Sequence, residues 1–361
     1  VASLVCVMVL RAGFRTTMRR DVVRLLLIWI PWLLYLYFRT DFGDPYATKK
    51  LGRILGLQFV SLFFLIFAYW SSPERFRRYF MPVTVALGII LLLTFLLSPT
   101  SFYLKETGRL TLEDVSPVWL ARSFAVAALW LFVTERIPFW VRIVAVTALS
   151  VGIVLTGSRG PMLSMVLVIC LYLFIRQLRR PHFPIKSVAA LLLAPVLAGV
   201  ALPLVQDNIE RYLTRGQDRP LLEQSGRGAL WMRAVEDFEK APWLGVGLGR
   251  YAKEVEGRRS DFGGITRRQE FVRVYPHNMI LEVLAELGLT GLILWLLVLR
   301  PGRWMLDFDS PYTYLFWLSF LFAMTSGDLP ANSGVFAFGL VASMVHRDRQ
   351  RARGHAVDRT A

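Results

Sequence analysis

The segment VYPHNMILEVLAELG places a histidine, an asparagine and two carboxylates at the start of a strongly apolar stretch. Asn278, Glu282 and Glu286 are four residues apart, so they share one helix face, with His277 at its mouth. Carboxylates inside an apolar span are costly and usually face a cavity or a cation. A histidine can accept a hydroxyl proton near neutral pH. The segment therefore predicts a polar site at one helix end, with Arg122 as a candidate partner of the carboxylates.

Two further candidate site residues are arginines, and each lies in a short sequence motif. Arg159 lies at the tip of LTGSRGPM, where two glycines permit a tight turn between apolar runs. Arg227 follows Ser225, a candidate N-cap, in the first turn of an amphipathic helix that ends at Pro242. An arginine there opposes the helix dipole, which favours a role in anion binding. The alternatives are headgroup snorkelling for Arg159 and a solvated loop position for Arg227.

The elements that must position these residues are membrane helices. The chain has 361 residues, of which 55% are hydrophobic, and its mean hydropathy is +0.47. The sequence predicts an all-α polytopic integral membrane protein of ten to twelve transmembrane helices, with one large periplasmic loop containing amphipathic helices. The ten apolar runs are Val22–Phe38, Ile54–Trp70, Phe80–Leu97, Val118–Val133, Ile143–Leu155, Pro161–Ile175, Ser187–Val205, Met279–Leu299, Tyr312–Met324 and Leu329–Val345.

Four regions follow from this pattern. Residues 1–205 form the N-terminal transmembrane helices, and the apolar stretch 1–10 is expected to be the end of a truncated helix. A large periplasmic loop occupies 206–276, and the C-terminal transmembrane helices occupy 277–345. Residues 346–361 form a basic cytoplasmic tail.

The distribution of the net charge of +16 predicts orientation. One alternating set of loops, which includes the C-terminal tail, holds 21 Lys and Arg residues, and the short loops of the other set hold seven. The first set is therefore cytoplasmic. This places Arg159, the 206–276 loop and His277 together on the outer side of the membrane. The basic excess is assigned to orientation and to anionic membrane lipids, and nucleic acid is excluded as a partner.

The sequence predicts no cofactor and no metal site. Of its four histidines only His277 is on the predicted outer side, so a histidine cluster is not expected there. Asp307–Asp309 has DxD spacing but lies on the predicted cytoplasmic side. The glycine-rich stretch Gly245–Gly249 lacks the register of a dinucleotide loop and is expected to be a flexible turn.

An outer site of arginines, one histidine and buried carboxylates next to lipid suits transfer from a lipid pyrophosphate to an alcohol. A transporter of a lipid-linked or anionic glycan would also use arginines at a lipid-facing cavity. Transporters usually bind at the midplane and carry repeats, and no repeat is visible here. A non-catalytic membrane scaffold is the third alternative.

The order of an SRG turn, SGR…LW, PWLGVGLGRY and HN…LE…ELG resembles the O-antigen ligase and polymerase superfamily of membrane glycosyltransferases, over about Thr134 to Val345. The resemblance implies metal-independent, inverting transfer of a glycan from undecaprenyl pyrophosphate, on the periplasmic side of a bacterial inner membrane. It implies that Arg159, Arg227 and His277 are catalytic. Arg122 matches the family less closely. The residues expected to bind substrate are Arg122, Ser158, Asn278 and Glu282.

The acceptor distinguishes the members of this superfamily. The basic segment Glu256–Arg273 precedes His277 and favours an anionic donor or acceptor. We therefore expect an O-antigen ligase that transfers to lipid A-core. The alternatives are a polymerase that transfers to another lipid-linked glycan repeat and, third, an enzyme that transfers to protein.

Overall fold

The computed structural model describes most of the helical part of the chain. Four predictions lie outside the described residues: the truncated helix 1–10, the span Ser187–Val205, the N-cap Ser225 and the basic segment Glu256–Arg273. The described residues are 16–97, 102–104, 110–112, 116–134, 137–179, 227–251 and 275–357.

Helices make up most of this part of the chain. A seven-residue π-helical stretch, Ile54–Val60, joins α2 to α3 without a break, and short 3-10 turns lie at Arg303–Leu306 and Pro330–Asn332. The α-helices are α1 (Thr16–Phe38), α2 (Pro45–Arg53), α3 (Ser61–Ser71), α4 (Pro73–Leu97), α5 (Pro117–Val133), α6 (Phe139–Leu155), α7 (Arg159–Arg179), α8 (Arg227–Lys240), α9 (Met279–Leu299), α10 (Pro311–Thr325) and α11 (Ser333–Val357).

The helices agree with the predicted apolar runs wherever the chain is described. Among those residues, five helical segments are long and apolar enough to cross a membrane, and α5 and α6 are shorter apolar helices of 17 residues each. The chain is therefore a helical membrane protein, and the count of ten to twelve spans stays a prediction. The five segments are Arg20–Phe38, Pro45–Ser71, Pro73–Thr94, Arg159–Arg179 and Met279–Leu299.

The all-α class is confirmed for the described residues, and one small β-hairpin of two three-residue strands interrupts the helical pattern. Strand β1 (Phe102–Leu104) pairs antiparallel with β2 (Leu110–Leu112), and Phe102 lies opposite Leu112. Aromatic and β-branched residues in FYL and LTL favour extended backbone. The hairpin lies in the predicted outer loop, just before α5.

Helix α5 lies at the centre of the bundle. It packs against α4, α6, α7 and α10. Its small residues Ala121, Ala125 and Ala128 are fully buried, and such residues let neighbouring helices approach closely. Large apolar side chains such as Leu87 of α4 and Phe174 of α7 remain exposed at 57% and 61%, which fits surfaces that face lipid.

Candidate active site

The elements that carry the predicted site residues come together around the turn Ser326–Asn332, which follows α10. Arg122 of α5 is 7% exposed and is held there by three hydrogen bonds. Its Nη2 donates to the carbonyl oxygens of Phe322 at 2.9 Å and Ser326 at 2.6 Å, and its Nη1 donates to Asn332 Oδ1 at 3.0 Å. The guanidinium therefore sits in a fixed position at the end of α10.

The SRG turn packs against the same end of α10. A Cβ added to Gly160 would lie 3.1 Å from Thr325 Oγ1, so only glycine allows this approach without a shift of that side chain. Ser158 is buried, and its backbone N–H donates to Thr156 Oγ1 at 3.2 Å. Arg159 is the first residue of α7, and its side chain is exposed. The structure thus brings Arg159 and Arg122 to one end of the bundle, as the sequence predicts.

His277 lies immediately before α9 in an unusual backbone conformation. Its φ is 58°, in the left-handed region that costs a non-glycine residue energy and often marks a functional site. Its ring centroid is 4.3 Å from that of Tyr275. Asn278 is the N-cap of α9, and its Oδ1 accepts from two backbone N–H groups at 3.1 and 3.2 Å. Asn278 therefore fixes where α9 begins, which places His277.

Helix α8 approaches the same segment. It is described from Arg227 to Lys240, which confirms the predicted helix in this segment, and Trp231 Nε1 donates to the Pro276 carbonyl oxygen at 2.8 Å. Arg227 lies one turn before Trp231, so the two positions share a helix face. Burial raises the pKa of Tyr251, so its hydroxyl stays protonated. This hydroxyl donates to the Leu230 carbonyl oxygen at 2.9 Å, which gives α8 a second contact.

The carboxylates of α9 pair with a residue that the sequence reasoning missed. Lys50 Nζ lies 2.5 Å from Glu282 Oε1 and 2.6 Å from Glu286 Oε2, and all three side chains are nearly inaccessible to solvent. The prediction that Arg122 pairs with these carboxylates is therefore wrong. The sequence pattern predicts that residues 39–53 form a short outer loop, but Pro45–Arg53 is a helix with Asp44 as its N-cap. Two features of the sequence indicate this helix: its Asp-Pro start and the helical spacing of Ala47, Lys50 and Leu51.

The buried triad Lys50–Glu282–Glu286 is joined to the turn that holds Arg122. The Leu329 backbone N–H donates to Glu282 Oε1 at 3.1 Å, and Gln58 Nε2 donates to the Leu329 carbonyl oxygen at 2.6 Å. Arg53 Nη1 lies 3.6 Å from Asp328 Oδ2. These contacts connect Glu282 to Lys50 and to the Ser326–Asn332 turn, and its predicted role in substrate binding stays a prediction.

Helix α9 is broken at Gly288, where φ is 65° and ψ is −165°. The break leaves backbone groups of α9 without partners inside the helix, and the segment 242–247 supplies them. The glycine-rich stretch predicted to be a flexible turn is therefore held in place, and that prediction is wrong. The four bonds are Val246 N to Ala285 O at 2.9 Å, Gly247 N to Glu286 O at 2.8 Å, Leu289 N to Pro242 O at 2.8 Å and Thr290 N to Trp243 O at 3.1 Å.

This arrangement defines a class of protein. A helical membrane bundle carries, at one end, a fixed buried arginine, an exposed arginine at a helix start and a histidine with a positive φ, and helix α8 contacts the segment that holds this histidine. In the described part of the chain, no group of three or more His, Cys, Asp or Glu side chains is placed to hold a metal ion. Such a site can bind an anionic group and can accept a proton nearby.

Comparison with known proteins adds a family. Residues 143–296 match a family model described as O-antigen ligase, which covers Arg159, Arg227 and His277 but not Arg122. A protein of Rickettsia conorii named "Putative polysaccharide ligase RC0486" is 32% identical over 114 residues. That stretch covers 31% of this chain, and the chain matches 26% of the relative's length. No solved structure matches. The resemblance to the O-antigen ligase superfamily is confirmed over this region, and it supports a glycan-transferring membrane protein.

Proposed function

We propose that this protein is a membrane glycosyltransferase that moves a glycan from undecaprenyl pyrophosphate to a hydroxyl acceptor. The observation that carries the proposal is the shared anchoring of Arg122 and the SRG turn at the end of α10, where Glu282 joins the following turn to the start of α9, the helix that His277 precedes. Guanidinium groups bind phosphate oxygens bidentately, so arginines fixed at a helix end suit a pyrophosphate. The family match supports the same class of reaction.

In the proposed reaction, Arg159 and Arg227, with Arg122 behind them, bind the pyrophosphate of the donor. His277 accepts the proton of the acceptor hydroxyl as its oxygen attacks the anomeric carbon. The bond from that carbon to the pyrophosphate oxygen breaks, and the arginines stabilise the negative charge on the leaving group. A single displacement inverts the anomeric centre. The N-cap Asn278 keeps His277 in place for the attack.

The decisive experiment is reconstitution. Purified protein in nanodiscs is supplied with a glycan on undecaprenyl pyrophosphate and with lipid A-core, and no nucleotide sugar is added. We expect transfer of glycan to lipid A-core by the wild-type protein and little transfer by His277→Ala. Absence of transfer to lipid A-core and to a second lipid-linked glycan would overturn the proposal.

Ligase and polymerase differ in the glycan that accumulates after deletion in the native host. Loss of a ligase leaves long glycan on undecaprenyl pyrophosphate, whereas loss of a polymerase leaves single repeats. We propose ligase activity first, because the basic segment Glu256–Arg273 suits a phosphorylated core. Accumulation of single repeats would favour the polymerase alternative, and unchanged length and carrier would favour a transporter or scaffold.

The orientation in the membrane has its own test. Single cysteines at Gln217 and Arg353 are treated with an impermeant thiol reagent in whole cells. We expect labelling at Gln217 only, because the basic loops are cytoplasmic. Equal or reversed labelling would contradict the periplasmic position of the site.

A further inference from the structure

A second cavity lies at the end of the bundle opposite the candidate active site. Its volume is about 1630 Å³, larger than the 300–1,000 Å³ that is usual for small-molecule sites. It is lined by the later residues of α5 and α7, including Trp130 and Tyr172, and by the beginning of α10 at Pro311. Helix α7 starts at Arg159 and has 21 residues, so roughly 30 Å of helix separates the two sites.

The rim of this cavity is strongly basic. Six arginines line it against two acidic residues, Glu74 and Asp309. Three of the arginines have acidic partners: Arg77 Nη2 lies 3.4 Å from Asp348 Oδ2, Arg349 Nη1 lies 3.4 Å from Asp307 Oδ1, and Arg179 contacts Asp309. Two further arginines are exposed at the start of α4. The six are Arg75, Arg77, Arg78, Arg176, Arg179 and Arg349.

The wall below the rim is apolar and is formed partly by α4. Pro82, Val85 and Ile89 of this helix line the cavity. On its other side, Val83 and Leu87 are 56% and 57% exposed, as expected of a surface that faces lipid. One face of α4 thus lines the cavity and another carries exposed apolar side chains, so the cavity has a charged rim above an apolar wall.

We propose that this cavity binds an anionic glycerophospholipid, with its phosphate on the arginine rim and an acyl chain along the apolar wall. Basic pockets between transmembrane helices are a recognised site for anionic lipid headgroups. The volume suits a lipid chain better than a small metabolite. This site is separate from the site of the proposed transfer reaction. The lipid-binding proposal therefore does not depend on that function.

The test uses the full-length protein in nanodiscs of phosphatidylcholine that contain a graded fraction of phosphatidylglycerol. Native mass spectrometry counts the lipid molecules retained after release from the disc. We expect Arg75→Gln/Arg78→Gln to retain phosphatidylglycerol about tenfold more weakly, because two cations leave the rim. These substitutions break none of the ion pairs described above. The control is Arg20→Gln/Arg303→Gln, which removes two exposed arginines at the same end that do not line the cavity.

A second variant tests the apolar wall. Ala86→Trp places a large ring in the cavity, and we expect it to lower phosphatidylglycerol retention while the thermal midpoint stays within 1–2 °C (about 1 kcal/mol) of the control. Equal retention by the arginine variant and its control would overturn the proposal. Equal retention of phosphatidylcholine, or displacement of the lipid by millimolar inorganic phosphate, would overturn it as well.

Discussion

Removal of Lys50 should destabilise the protein far more than the loss of an ordinary lysine. Lys50→Met leaves Glu282 and Glu286 facing each other with no lysine between them, in a region where all three side chains are at most 3% exposed. The change also disturbs the Ser326–Asn332 turn, because Glu282 accepts a hydrogen bond from that turn. We therefore expect lower stability together with lower transfer activity.

The size of the effect follows from the geometry. Breaking a buried ion pair by removing one partner typically costs about 3–5 kcal/mol, since a buried charge is left uncompensated. At about 2 °C per kcal/mol for a chain of this size, the thermal midpoint should fall by roughly 6–10 °C. Lys50→Met combined with Glu282→Gln and Glu286→Gln removes all three charges, so it should recover at least half of the lost stability.

Thermal unfolding in detergent, followed by tryptophan fluorescence, measures the change. The matched control is Lys49→Met, which neutralises an exposed neighbour on the same helix and should change stability by no more than about 0.5 kcal/mol. The reasoning is refuted if Lys50→Met melts within 1–2 °C (about 1 kcal/mol) of that control. It is also refuted if the triple variant is no more stable than Lys50→Met alone.

Three further predictions concern the loop contact and the site. Gly288→Ala should lower the free energy of unfolding by about 2–4 kcal/mol, because the added Cβ would lie 2.5 Å from the Trp243 carbonyl carbon at a φ of 65°. The control is Gly56→Ala, whose added Cβ has no neighbour within 4 Å, so it should be neutral or slightly stabilising. Thermal unfolding measures both changes. Arg159→Lys should lose more than tenfold in turnover although it keeps its charge, because bidentate phosphate binding is lost, and near wild-type turnover would make this arginine structural. Transfer should survive EDTA, and recovery of a chelated protein by magnesium alone would show that a metal takes part.

Part of this molecule follows from local sequence patterns. Every predicted apolar run in the described chain lies largely in helix, although Leu329–Val345 begins in the Ser326–Asn332 turn, and the run Met279–Leu299 has the observed bounds of α9. The SRG turn and the helical segment that includes Arg227 also agree with prediction. These features depend on hydrophobic periodicity, turn glycines and helix-start signals, which act over a few residues.

Other features depend on contacts between distant segments, and the sequence reasoning missed them. The sequence does not pair Lys50 with its counterions, because they are more than 230 positions away in the chain. It predicts a flexible turn at Gly245–Gly249, because the α9 carbonyl groups that bind Val246 and Gly247 are available only where α9 breaks at Gly288. Buried charges and broken helices must find partners wherever the fold brings them. The sequence by itself therefore determined the membrane helices and the types of residue at the site, and the tertiary structure decided which of those residues meet.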